Sequence, residues 1–162
     1  MSNLGDLMRT FADETNANLE AVIMQTGIKM VDSLVNKSPV DTGRFRGGWI
    51  CTSSRPSQIR GKSIKRRRPE TIRNEAITKL SDAIGAQTSF YIVNNLPYAS
   101  VLEYGLYPKN VKRGTKNRKT GRYEIRSANG YSKQAPTGMV RITKKEFKRD
   151  FIKSIKSMRA KK

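Results

Sequence analysis

The chain has 162 residues, 36% of them apolar and 7% aromatic, and its 33 basic against 13 acidic residues give a formal charge of +20. That length suits one domain with its own core, the low aromatic content predicts long arms or burial against partners, and the charge predicts a polyanion or an acidic protein surface as neighbour. With no histidine and the single cysteine Cys51, His-based catalysis, His metal ligation and an internal disulfide are excluded.

The charge is uneven along the chain. Residues 1–43 hold 3 basic and 6 acidic groups, 44–86 hold 11 and 3, 87–104 hold 0 and 1, and 105–162 hold 19 and 3. A polyanion surface is therefore expected after Arg44 and in the C-terminal third. No run of 18 apolar residues exists, so no membrane span is expected. The start of the chain has acids (Asp6, Asp13, Glu14) rather than a basic region before an apolar one, which predicts no secretory signal and assembly in a cytoplasm.

Residues 3 to about 36 read as one amphipathic helix, with Leu4, Leu7, Met8, Phe11, Leu19, Val22, Ile23, Met30, Val31 and Leu34 recurring at steps of three and four. Such a helix runs to roughly 50 Å, too long for this domain to bury, so part is expected to pack on a sheet and part on a neighbouring subunit. Gly27 predicts a bend or close packing. Pro39 stops the helix. Asp41-Thr42-Gly43 offers side-chain oxygens to local N–H groups and a glycine for a left-handed turn. An ordinary helix-to-strand connection accounts for each of these residues singly. Trp49 to Ser53 reads as a short strand in which Cys51 is a small apolar filler.

Residues 55–68, ending in Lys65-Arg66-Arg67-Arg68, form a basic loop. Pro69 opens a second helix whose stripe is Ile72, Ala76, Ile77, Leu80 and Ile84, with Gly85 as its stop; it is expected to cover a sheet face. Thr88–Asn94 is rich in β-branched and aromatic residues and predicts a strand. Pro97 to Gly105 reads as a two-turn helix. In it Glu103, the one charge of residues 87–104, needs a partner if buried; an ion pair or a cap is expected rather than catalysis. Residues 107–133, basic and punctuated by Gly114, Gly121 and Gly130, read as a long β-hairpin arm with a turn at Asn129-Gly130. Residues 134–142 read as a final strand, and Thr143-Lys144-Lys145-Glu146 as the capping box of a last helix. That helix places Phe147, Phe151, Ile155 and Met158 on one face, expected to pack on the sheet, with basic residues over the rest.

Catalytic patterns are missing. Arg60-Gly61-Lys62-Ser63 lacks the earlier glycine of a phosphate-binding loop, where Pro56 stands. There is no Cys/His cluster for zinc and no Ser/His/Asp set, and the seven acids after Asp41 are scattered. No enzyme activity and no cofactor are expected.

Three segments in order carry a resemblance. Ser38-Pro39-Val40-Asp41-Thr42-Gly43-Arg44-Phe45-Arg46-Gly47-Gly48-Trp49 resembles the sPVDTGxLrxsW signature of a family of tailed-bacteriophage neck, or tail-completion, proteins. Asn94-Asn95-Leu96-Pro97-Tyr98-Ala99, running on to Leu102-Glu103-Tyr104-Gly105, resembles its nnlPYAxxlEyG segment, and Gln134 to Val140 its closing segment. The basic arm at 107–133 departs from the shorter members. The resemblance implies a non-enzymatic virion protein of the head–tail junction. Its partners would be connector or head-closure and tail rings, and its form a homo-oligomeric ring around the DNA channel. It carries Pro39, Asp41, Thr42, Gly43, Trp49, Pro97, Tyr98, Glu103 and Gly105 over as fold-defining positions.

The resulting expectation is a single α+β domain over 1–162. A long helix (1–37) is followed by turn and strand (38–54), basic loop (55–68), helix–strand–helix (69–106), basic arm (107–133), and strand with C-terminal helix (134–162). Arg66, Arg67, Arg68, Lys112, Arg113, Lys116 and Arg118 are the expected contacts to DNA or acidic partner surfaces. A soluble nucleic-acid-binding protein and a tail-terminator ring protein are the alternatives.

Overall fold

The structure is a computed structural model that describes residues 4–53, 67–117 and 120–160. It is α+β, with four helices and three two-stranded antiparallel sheets among the described residues. Helix α1 runs Leu4–Lys37, a 3-10 turn Arg46–Gly48, strand β1 Ile50–Thr52, helix α2 Pro69–Gly85, strand β2 Tyr91–Val93 and helix α3 Ala99–Tyr104. Strands β3 (Thr115–Lys116), β4 (Tyr123–Glu124), β5 (Ser127–Ala128) and β6 (Tyr131–Ser132) precede helix α4, Val140–Ala160. Most of the expected basic loop, including Arg66, lies outside the described residues, as does Arg118.

Strand β1 pairs with β2 antiparallel, Cys51 facing Ile92. Helix α2 packs over β1 and against α1; of its expected stripe Ile72, Ala76 and Leu80 are buried, but Ile77 is exposed and Ile84 half-buried, and Ala83 is buried instead. The core joins Val31, Leu34 and Val35 of α1 to Phe45, Trp49, Cys51, Ile72, Leu102 and Met139. Gly27 meets α2 closely, since a Cβ there would stand 2.5 Å from Leu80 Cδ2.

Five expectations need correction. Helix α1 packs between α2 and α4 rather than on a sheet, and the apolar side of α4 lies on α1. The sheets are too small to cover either helix. Residues 134–139 form turns and isolated bridges, and α4 already begins at Val140. Thr143 and Glu146 therefore sit within the helix and form no capping box; the Thr143 N–H donates to the Met139 carbonyl at 3.0 Å. The arm is two short hairpins, β3–β4 and β5–β6, rather than one long hairpin. Its second turn follows the sequence signal: Asn129 and Gly130 have φ of 52° and 83°, as a two-residue hairpin loop requires.

The first half of α1 leaves the fold. Among residues 5–21 whose side chains are described, all but Thr15 are exposed, and the first buried residues of the helix are Thr26 and Gly27. Met8 is 65% exposed and Leu19 38%.

Candidate functional site

The turn after α1 is fixed by a relay of hydrogen bonds. The Ser38 hydroxyl donates to the Leu34 carbonyl at 2.7 Å and accepts from the Trp49 indole N–H at 2.8 Å. This ties the helix end to the start of β1 and partners both buried polar groups. Gly43 adopts φ 79°, the left-handed conformation that glycine enters without cost. The Arg44 N–H points to Thr42 Oγ1 at 3.4 Å. Asp41 does not cap the turn; its carboxylate pairs with Arg126 at 2.5 Å. Gln134 grips Val40 at both backbone polar groups, 2.6 and 3.1 Å. Phe45 then packs edge-on to Trp49 at 6.0 Å and tilts onto Tyr98 at 5.9 Å.

The second segment is organised by Glu103, which is only 6% exposed. Its carboxylate accepts from the N–H groups of Met139, Val140 and Arg141 at 2.7, 2.8 and 3.0 Å. These are the orphan donors at the start of α4, and a carboxylate there also suits the helix dipole. Arg141 reaches back to the Glu103 carbonyl at 3.0 Å and to its carboxylate at 3.4 Å. Gly105 closes α3 with φ 69°, and a Cβ there would stand 2.4 Å from the Tyr131 ring. Pro97 opens the turn in which the Ala99 N–H donates to Leu96 O at 2.9 Å. Phe45 links the two segments, touching Trp49 on one side and Tyr98 on the other. Between the Pro39–Phe45 turn and the arm lies a cleft of about 470 Å³, floored by Phe45, Tyr98, Leu102 and Tyr107 and edged by Arg113 and Arg126.

The chemistry open to this arrangement is narrow. The Glu103 oxygens are bonded to backbone. The Cys51 thiol is pushed up to about 12, first by burial and then by the nearby Glu75 carboxylate, so it stays a neutral apolar filler. Among the described residues no group of three or more His, Cys, Asp and Glu could hold a metal ion, and no helix is long and apolar enough to cross a membrane.

The expected polyanion contacts separate. Arg67 is engaged inside the fold, donating to the carbonyls of Gly47 and Trp49 and pairing with Glu75; it pins the start of α2 and is not a free contact. Arg113 lies over the Tyr123 ring, 4.3 Å from its centroid. Arg68, Lys112 and Lys116 are exposed. Sequence reasoning missed Arg126, Gln134 and Arg141, whose partners are remote in the chain. No protein-family model, curated protein or solved structure matches this chain.

Proposed function

We propose that this chain is a structural, non-enzymatic component of a phage head–tail junction, joining connector to tail as a homo-oligomeric ring in the virion. The observation that supports this most is the first half of α1, about 25 Å of helix whose described side chains are exposed but for Thr15, Met8 at 65% and Leu19 at 38% among them. Where it leaves the fold, an open cleft of about 430 Å³ is lined by Leu19, Ile23, Leu80, Ile84 and Phe90. A free DNA-binding module has no need of such a helix; a subunit packed on copies of itself does, and a head-to-tail interface that closes makes a ring. The motif segments meanwhile lock into one body through Ser38, Glu103 and Gln134, which suits a part whose work is geometric. The test is electron microscopy of phage particles lacking the protein. Filled heads beside unattached tails are expected, and intact virions would refute the reading.

A further inference from the structure

The densest run of exposed basic side chains among the described residues lies on α4, not on the arm. Lys144, Lys145, Lys148, Arg149, Lys153 and Lys156 are all exposed, and with Arg141 they cover about half of the helix circumference at 3.6 residues per turn. The two acids of α4 sit on the side towards α1. Glu146 bonds Lys37 and Ser33 at 2.6 and 2.7 Å, and Asp150 lines a narrow crevice with Lys29 and Ser33. Arg149 has Asp150 as its neighbour at 3.0 Å. The side towards α1 also holds the buried Thr143 and the half-buried Phe147, and further along the helix Phe151 and Ile155 are half-buried.

We propose that this cationic face of α4 is a docking surface for duplex DNA that follows the phosphates without reading sequence. A helix face kept only for solubility mixes both signs. This one sets like charges four residues apart, 144 with 148 and 145 with 149, a spacing that repels until a polyanion neutralises it. The 21 residues of α4 extend about 31 Å, and duplex DNA offers a phosphate on each strand every 3.4 Å or so along its axis. Base readout relies on Asn, Gln and Arg aimed at base edges; this face is mostly lysine, with Ile152 as its one exposed large apolar residue. A bilayer is the poorer occupant, because an interfacial helix must bury its apolar side in lipid, and here part of that side, at Thr143 and Phe147, lies towards α1. The inference stands on charge and packing, so it does not depend on the virion reading, and joined particles could form even if it fails.

The experiment uses the full chain and a short labelled duplex of random sequence, with binding followed by anisotropy across roughly 50–200 mM salt. Two triple variants carry the same change in charge: Lys145→Gln, Lys148→Gln, Lys156→Gln on α4, and Lys109→Gln, Lys112→Gln, Lys116→Gln on the arm. At about 0.9 per phosphate contact, the α4 triple should make the slope of log K against log salt shallower by about 2.7, while the arm triple stays within about one unit of the parent. A second α4 triple, Lys144→Gln, Arg149→Gln and Lys153→Gln, should repeat the loss, so that one poorly folding variant does not decide the matter. An equal or larger loss in the arm triple overturns the proposal. So does no duplex binding by the parent, or tighter binding to phosphatidylserine vesicles than to the duplex at the same salt.

Discussion

Glu103 is a carboxylate withdrawn from water and held by the N–H groups of Met139, Val140 and Arg141, at the start of a helix that begins 37 residues later. Its removal leaves those donors short of a partner in a region that also holds the buried Met139. Hydrogen bonds to a charged group contribute roughly 1.5–3 kcal/mol each, and a buried donor left unmet costs a similar amount. Water can reach Val140 and Arg141, which are exposed, so the effects do not simply add. Glu103→Ala is expected to lower stability by about 3 kcal/mol in urea unfolding, with Glu103→Gln between it and the parent because one acceptor oxygen survives. A loss below about 1 kcal/mol, the size of an ordinary surface change, would mean that α4 does not depend on this cap. The sequence shows that Glu103 stands alone among uncharged neighbours and so needs a partner. It does not show which partner, because the N–H groups it meets belong to a segment whose Val140-Arg141-Ile142 alternation imitates a strand.

At the scale of elements, what was legible depended on where each boundary signal lies. Pro69 opens α2 and Gly105 ends α3 with its own left-handed turn; local residues set these ends, and the sequence shows them, whereas α2 ends at Gly85 with Gln87 as the left-handed residue. The start of α4 is set by Glu103 across the molecule, and Thr143, a cap by its pattern, is buried as a helical residue bonded to Ser33 at 3.0 Å. The arm divides into two hairpins between Glu124 and Ser127, where the Arg126 side chain pairs with Asp41, a contact that no periodicity announces. Similarly, nothing in the run Lys65-Arg66-Arg67-Arg68 distinguishes the arginine that turns inward to Glu75. The joint between α1 and α4 makes a prediction of its own. Lys37 and Ser33 donate to Glu146 and hold its carboxyl below the usual carboxylate range, the Lys37 bond contributing most and burial opposing it. A folded-state value below the unfolded one means stability that is present above the ordinary glutamate range and lost as pH falls through the lowered value. Thermal melts should therefore show the parent losing its margin over Glu146→Gln as pH drops below about 4.3. Parallel curves for the two proteins would show that this bond does not tie the helices together.

For the whole molecule the decisive asymmetry lies between a compact body and a helix that runs beyond it. The N-terminal periodicity revealed a helix too long to bury, and the core residues of α1, Val31, Leu34 and Val35, all fall in its second half. A chain with residues 2–20 deleted keeps Thr26, Gly27 and every contact of that core. Because surface-exposed turns contribute little to global stability, its urea midpoint should correspond to a loss of less than about 1 kcal/mol, while its far-UV helix signal falls. Assembly should respond differently. At high salt, where Debye screening shortens to about 3 Å at 1 M and DNA is absent, association must come from apolar burial rather than from the charge of +20. Under those conditions the full chain is expected to sediment as a closed oligomer and the deleted chain as a monomer. A deleted chain that still assembles would move the subunit contact away from α1, to the body or its arm. A full chain that is monomeric at every salt would leave Met8 and Leu19 to be covered by a different protein, and the joint would then be built between unlike subunits.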